Sequence, residues 1–169
     1  MMKIYLDMDG VLADFFTGFA NHAKVHHWKQ IQNKEKTIQE LQGTDFFNTL
    51  DTYPSTMELV NFVQTLVGDD DWGICSSPLR GDRDNSAYWK RVWLTRHFIM
   101  PKVENLIFTG RKEQYAMDNI DGKPNVLIDD KPDNVGRWTA KGGIGIRYQA
   151  NEDSLVDLKQ KLIKVVENS

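Results

Sequence analysis

An apolar run followed by two acids occupies Lys3-Ile4-Tyr5-Leu6-Asp7-Met8-Asp9-Gly10-Val11-Leu12-Ala13-Asp14. The run, bounded by a glycine, predicts a short buried strand of a parallel sheet. In an extended chain Asp7 and Asp9 share one face, and Gly10 allows a tight turn that brings the backbone close to a ligand. Because two adjacent carboxylates repel each other, a cation or a proton must offset their charge. The alternative is an acidic strand end that only begins a loop.

Strands and helices alternate along the rest of the chain. Further strands are predicted at 72–78, 103–108, 125–130 and 143–146. Apolar residues at helical spacing predict helices at 14–25, 54–68, 87–98 and 154–166, and the polar stretch 26–42 predicts one or two surface helices. This order of elements predicts an α/β fold with a parallel sheet and right-handed crossovers. In such a sheet, ligands bind beyond the carboxyl ends of the strands.

Chemically active side chains fall at these predicted strand ends. They are Asp7 and Asp9, Ser76 and Ser77, Arg111 and Lys112, and Asp129 and Asp130. Two carboxylate pairs with hydroxyls and a cation form a candidate site for a metal and a phosphate, since Mg²⁺ binds oxygen ligands and substrate phosphates. Each group also has a structural alternative. Ser76 and Ser77 could cap a turn, Lys112 could be solvated, and Asp129-Asp130 could form an Asx turn.

Length and composition limit the class of protein. The 169 residues suit one domain with a modest insertion, and 40% hydrophobic content with 11% aromatics is sufficient for a packed core. The net charge of -3 argues against binding a nucleic-acid polymer. A single cysteine, Cys75, excludes an intramolecular disulfide and predicts a reducing compartment. Since neither a signal peptide nor a membrane span is evident, we expect a cytoplasmic protein without a membrane partner.

The first acidic motif resembles the signature of a known superfamily. Asp7-Met8-Asp9-Gly10-Val11 is similar to the DxDGT/V motif of the haloacid dehalogenase (HAD) superfamily. The resemblance implies that Asp7 is a nucleophile that forms an aspartyl-phosphate. It also implies that Asp9 is a general acid/base that protonates the leaving oxygen. A carboxylate nucleophile suits this chemistry because it divides one difficult displacement into two steps.

The second and third HAD motifs have matches in the expected order. Ile74-Cys75-Ser76-Ser77-Pro78 resembles the second motif, which implies that Ser76 hydrogen-bonds the transferred phosphoryl group and that Ser77 makes a second contact. The third motif is a lysine or arginine whose charge screens the nucleophile and the phosphate. Lys112 matches it best, and Lys90 is a second candidate.

The fourth HAD motif is matched by Val126-Leu127-Ile128-Asp129-Asp130. The resemblance implies a Mg²⁺ cofactor with Asp129 as a direct ligand and Asp130 as a ligand through water or an orienting partner. It further implies that Asp7 binds the metal through its carboxylate and Asp9 through its backbone carbonyl. The metal would screen the acids from each other and from an anionic substrate.

A narrower resemblance, to the 5'(3')-deoxyribonucleotidases, covers most of the chain. It rests on residues 7–15, 46–47, 74–78, 109–112 and 127–133. It implies a Rossmann-like HAD core at 1–15 and 71–169, with a small helical cap at 16–70 inserted after the first motif. It also implies Mg²⁺-dependent hydrolysis of a phosphomonoester, a (deoxy)nucleoside monophosphate, by a protein that can form a homodimer. The chain departs from the family in its short, polar cap segment.

Two other functions fit the same motifs. One is a HAD phosphatase that acts on a sugar phosphate or a nucleic-acid end. The other is a non-catalytic protein that binds a phosphorylated ligand or a protein partner. The presence of Asp9 argues against the second, because binding alone requires no general acid/base.

Three phenylalanines provide a candidate surface for a nucleobase. Phe15 follows the first motif, and Phe46 and Phe47 lie where the chain returns from the predicted cap. Aromatic rings stack on bases, so we expect Phe15 and either Phe46 or Phe47 to enclose the base, with Ser76 and Lys112 holding the phosphate. The alternative is packing between cap and core, since Phe is often buried.

Overall fold

A five-stranded parallel sheet forms the centre of the computed structural model, which describes residues 2–169. The strands are β1 (Ile4–Leu6), β2 (Trp72–Ser76), β3 (Leu106–Phe108), β4 (Val126–Asp129) and β5 (Ile144–Arg147). Their spatial order is β3-β2-β1-β4-β5. The chain therefore builds outward on one side of β1 and then crosses to the other, and the order reverses beside β1 and β4, where α/β sheets bind ligands. The predicted α/β class is confirmed.

Six helices lie between and after these strands in residues 2–169. They are α1 (Phe15–His22), α2 (Lys34–Gln39), α3 (Thr56–Val67), α4 (Arg83–Arg96), α5 (Pro132–Ala140) and α6 (Leu155–Glu167). Short 3₁₀ turns lie at Trp28–Gln30, Phe46–Asn48, Val103–Asn105 and Lys112–Tyr115. In residues 2–169, none of these helices has the length and apolarity that crossing a membrane requires.

Alternation along the strands divides the core between the two faces. Ile4 and Leu6 join the larger cluster, which includes α3 and α6. Tyr5, by contrast, packs with Leu127 of β4 and Trp138 of α5 on the opposite face. Because side chains alternate with period two, the residue that follows Leu6 is directed toward the α5 side of the sheet. The first acid of the motif is that residue.

Helix α5 was absent from the sequence prediction. Its segment is polar, and Trp138 is its only fully buried residue. Pro132 begins the helix, a position where proline costs nothing because its missing N–H would have no partner. A single anchoring tryptophan produces no repeating apolar pattern, so periodicity could not reveal this helix.

The segment between β1 and β2 contains α1, α2, two 3₁₀ turns and α3. The predicted cap, 16–70, includes all of them, but α3 packs on β2 and α6. Its buried residues Leu59, Val60 and Val63 belong to the same cluster as the strands. We propose that α3 is part of the core and that the inserted cap ends before Thr56.

Candidate active site

A tight turn follows β1 and presents the acidic motif. The carbonyl oxygen of Met8 accepts hydrogen bonds from the N–H groups of Leu12 and Ala13, at 2.8 and 2.9 Å. Gly10 has a φ of +86°, and a Cβ there would lie 2.5 Å from Oδ2 of Asp130. Glycine is thus required both by the left-handed backbone and by the approach of the second acidic pair. The turn brings the first and fourth motifs into contact.

Lys112 bridges Asp7 of the first motif and Asp129 of the fourth. The backbone N–H of Asp7 donates to the carbonyl of Ile128 at 2.9 Å, which places Asp7 beside the end of β4. Lys112 Nζ lies 2.9 Å from Asp7 Oδ1 and 2.7 Å from Asp129 Oδ2. The Lys112 side chain is only 3% exposed. A buried ammonium group requires such charged partners, so the solvated alternative for this lysine is wrong.

Three carboxylates converge next to this lysine. Oxygens of Asp7, Asp129 and Asp130 all lie within 4.8 Å of one another, and all three residues are buried. Burial and the neighbouring Asp129 raise the pKa of Asp7 to about 6. Burial and the neighbouring Asp7 raise the pKa of Asp130 to about 8. Burial also opposes ionisation of Asp129, but Lys112 holds the pKa of that carboxyl below its usual value.

The acids suit a hard divalent cation. Oδ1 of Asp130 and Oδ1 of Asp9 are buried and have no hydrogen-bond partner within residues 2–169. A buried carboxylate oxygen without a partner is costly, and a cation would remove that cost. Mg²⁺ prefers carboxylate and carbonyl oxygens and keeps several waters. The residues therefore fit Mg²⁺, with Asp7, Asp129 and Asp130 as the candidate ligands.

Lys90 connects the second acid of the first motif to β2. Its Nζ donates to Ser76 Oγ at 2.8 Å, to the Ser77 carbonyl at 2.8 Å and to Asp9 Oδ2 at 3.0 Å. The ring of Phe47 lies 4.8 Å from the same nitrogen. Both lysines considered for the third motif are thus at the site, on different acids. The Ser77 side chain, in contrast, has no hydrogen bond within the described part of the chain.

The helical spacing of residues in α4 could have indicated that Lys90 is buried. The buried residues of α4 are Ser86, Lys90, Trp93 and Leu94. These four share one helical face, so a lysine lies on the face that packs inward. A lysine there must reach a polar partner, and this pattern would have favoured Lys90 as a site residue.

The phenylalanines pack against one another. The Phe15 and Phe47 rings are nearly parallel, with centroids 6.4 Å apart and an interplanar angle of 20°, and Phe46 contacts Phe15 edge-on at 5.8 Å. Phe46 and Phe47 are buried. A base between two rings needs about 7 Å, twice the usual carbon contact distance. At 6.4 Å the Phe15 and Phe47 rings contact each other instead, and the enclosure of a base between them stays a prediction. A role for Phe15 in substrate binding stays a prediction.

Sequence reasoning missed Asn134. Its side-chain nitrogen donates to Oδ2 of Asp129 at 3.1 Å. It lies on α5, the helix that periodicity could not reveal, so no local signal pointed to it. Two elements outside its own strand therefore hold the Asp129 carboxylate. One is α5, and the other is the 3₁₀ turn that carries Lys112.

The sequence is similar to those of several nucleotidases. Residues 1–158 match the family described as "5' nucleotidase, deoxy (Pyrimidine), cytosolic type C protein". The mitochondrial 5'(3')-deoxyribonucleotidase of Mus musculus is 29% identical over 156 residues, which cover 80% of this chain and 67% of that protein. The Homo sapiens protein of the same name is 28% identical, over 80% of this chain and 64% of that protein. This chain thus spans about two thirds of the length of the mitochondrial relatives.

A bacterial relative is covered more fully. The putative 5'(3')-deoxyribonucleotidase of Bordetella pertussis is 31% identical over 159 residues, which cover 81% of this chain and 80% of that protein. A mammalian relative and a bacterial relative therefore each align with about four fifths of this chain.

Solved structures share the fold. A hydrolase from Streptococcus pneumoniae TIGR4 aligns with a TM-score of 0.55 at 13% identity, over 95% of this chain and 97% of that chain. A second structure is that of a HAD-family enzyme from Bacteroides thetaiotaomicron, an Asp-to-Ala variant in complex with magnesium and inorganic phosphate. It aligns with a TM-score of 0.51 at 15% identity, over 92% of this chain and 98% of that chain. At such identities the likeness shows the fold alone, and it confirms the predicted HAD-like core.

Proposed function

This chain belongs to the cytosolic type C family of 5'-nucleotidases, phosphatases with a HAD-like fold, and we propose that it hydrolyses nucleoside monophosphates in a Mg²⁺-dependent reaction. One observation carries the proposal. Lys90 and Lys112, both buried, each contact one acid of the first motif at the carboxyl edge of the sheet. A site with this arrangement can hold an anionic phosphoryl group and a cation side by side.

The charges at the site favour a metal. Four acidic side chains share only two ammonium groups, and their crowding and burial raise the pKa of Asp7 and Asp130. A bound cation would favour the ionised form of these acids. Asp7, Asp129 and Asp130 would hold Mg²⁺ through side-chain oxygens, and Asp9 would add its backbone carbonyl. When bound, Mg²⁺ polarises a phosphoryl oxygen and neutralises negative charge. The magnesium and phosphate bound by the Bacteroides thetaiotaomicron enzyme support this assignment by analogy of fold.

Asp7 is oriented for nucleophilic attack. Its Oδ1 accepts hydrogen bonds from the Met8 N–H at 2.8 Å and from Lys112 at 2.9 Å. Its Oδ2 has no hydrogen-bond partner within residues 2–169 and is available to attack phosphorus. A bond forms between Asp7 and phosphorus as the ester P–O bond breaks, which produces an aspartyl-phosphate and an alkoxide leaving group.

Asp9 handles the proton in both steps. Lys90 holds its Oδ2, and its Oδ1 has no protein partner in the described chain. Protonated Asp9 gives its proton to the leaving alkoxide. The resulting carboxylate then takes a proton from a water molecule, whose oxygen attacks phosphorus and breaks the bond to Asp7. Ser76 and Lys90, already in contact at 2.8 Å, would bind the phosphoryl oxygens during both steps.

Phosphate release separates the candidate substrates. Nucleoside monophosphates, a sugar phosphate and a small aryl phosphate are each assayed with Mg²⁺, with excess chelator and with Ca²⁺ in its place. We expect the protein to prefer a deoxynucleoside monophosphate and to lose activity in excess chelator. We also expect Ca²⁺ not to support activity, because its larger, looser coordination shell would distort in-line attack. Full activity in excess chelator would exclude the metal role, and preference for the sugar phosphate would exclude the nucleotide.

Location and assembly also belong to the proposal. The one cysteine is free and buried, which suits a reducing compartment such as the cytoplasm. Assembly as a homodimer is checked by light scattering on the purified chain, where a mass of 19.5 kDa would indicate a monomer.

A further inference from the structure

The Asp129 carboxylate is held by three donors. Oδ1 accepts a hydrogen bond from the backbone N–H of Lys131 at 2.9 Å. Oδ2 accepts one from Lys112 Nζ at 2.7 Å and another from Asn134 Nδ2 at 3.1 Å. Of the two side-chain donors, one is charged and the other is neutral. They come from different elements, so the orientation of this carboxylate depends on how α5 packs on β4.

A neighbouring arginine sets the orientation of the Asn134 amide. Arg137 Nη2 donates to Asn134 Oδ1 at 2.5 Å. Because a guanidinium can only donate, the amide oxygen must face Arg137, and the amide nitrogen is then directed at Asp129. The two residues are three positions apart on α5, a spacing at which helical side chains meet. Arg137 Nε in turn lies 3.8 Å from Oε2 of Glu113, the residue after Lys112.

We propose that Asn134, oriented by Arg137, is a positioning residue that holds the Asp129 carboxylate in place for a divalent cation. The inference rests on the proposed function, since it concerns the metal that this function requires. A cation bound to Asp129 repels the ammonium of Lys112, whereas a neutral amide keeps its hydrogen bond beside a cation. Outer donors of this kind raise metal affinity by fixing the ligand before the metal arrives.

A purely structural role makes a different prediction. Asn134 and Arg137 lie in consecutive turns of α5, and their contact could serve only to stabilise that helix. In that case, truncating either residue would lower thermal stability and leave Mg²⁺ affinity unchanged. Affinity for the metal alone therefore separates the two roles and needs no measurement of activity.

The experiment measures Mg²⁺ affinity by calorimetry on the full chain without substrate. We expect Asn134→Ala to weaken binding by roughly 10-fold or more, the usual effect of removing an outer donor. Arg137→Ala should cause a smaller loss, and the double variant should lose no more than Asn134→Ala, because Arg137 acts through the amide. The matched control is Asn61→Ala, an exposed asparagine on α3, which should leave the affinity unchanged.

Asp129→Ala separates failure of this inference from failure of the proposed function. If Asp129→Ala leaves Mg²⁺ affinity unchanged, the metal site is wrong and the inference falls with it. If Asp129→Ala weakens binding but Asn134→Ala does not, the inference alone is overturned. Additive losses from Asn134→Ala and Arg137→Ala would overturn the link between them. Should Asn134→Ala fail to fold, Arg137→Ala carries the same test, since half of its side chain is exposed.

Discussion

Lys90 Nζ lies 3.0 Å from Asp9 Oδ2, although 81 residues separate the two in the sequence. The lysine side chain is 1% exposed and that of Asp9 is 27% exposed. The pair joins α4 to the turn after β1. Because Lys90 also donates to Ser76 and to the Ser77 carbonyl, one ammonium group fixes two of the motifs relative to each other.

Replacing Lys90 should therefore reduce both stability and turnover. Lys90→Met keeps most of the volume but leaves Asp9 and Ser76 without their donor. Unsatisfied buried groups cost about 1–3 kcal/mol, so the free energy of unfolding should fall by that order in a denaturant titration, with near-complete loss of phosphatase activity. Lys159→Met is the control, because Lys159 pairs with a largely exposed Glu58 and such pairs contribute little. Equal effects of the two substitutions would contradict this role.

Asp7→Asn should abolish turnover while the fold survives. The amide has almost the same shape as the carboxylate but lacks its charge and nucleophilicity, and Lys112 keeps Asp129 as a partner. We expect phosphate release near background and an unchanged circular dichroism spectrum. Asp84→Asn, at an exposed acid on α4, should retain full activity. More than a few per cent of wild-type turnover in Asp7→Asn would rule out the covalent route.

Phe15→Ala should affect large and small substrates differently. If the exposed part of the Phe15 ring contacts the base, the substitution raises KM for a deoxynucleoside monophosphate and changes KM for a small aryl phosphate less. Phe16→Ala is the control, because Phe16 packs on Trp28 at a centroid distance of 5.2 Å. Losses of equal size on both substrates would show that Phe15 serves packing only.

Cys75 should react slowly with alkylating reagents in the native protein. Its side chain is fully buried, and burial raises the pKa of its thiol to about 12. Since the thiolate is the reactive form, little of it exists near neutral pH until the chain opens. We expect slow labelling with iodoacetamide, fast labelling in urea, and still slower labelling when Mg²⁺ is added, because a bound ligand stabilises the native state. Rapid labelling of the native protein would contradict this burial.

Local sequence patterns accounted for the central strands and several helices. The apolar run ending at Asp7 and the run ending at Asp129 form β1 and β4, as predicted. The third strand was predicted too long, because Val103–Asn105 form a 3₁₀ turn before β3 begins. The strand predictions succeed because a short apolar run, typical of a strand buried on both faces, is a property of a few consecutive residues.

Contacts between distant elements lay beyond those patterns. The sequence by itself determined the fold class and placed Asp7, Asp9, Ser76 and Asp129 at strand ends, since each follows directly from the strand before it. Only the tertiary structure decided that Lys90 contacts Asp9 and that Lys112 contacts Asp7. It alone also decided that Asn134 of α5 donates to Asp129. It also decided that the phenylalanines pack together. The physical reason is that these contacts depend on how the helices pack over the sheet. Packing brings together residues that are far apart in the sequence, and no local periodicity connects them.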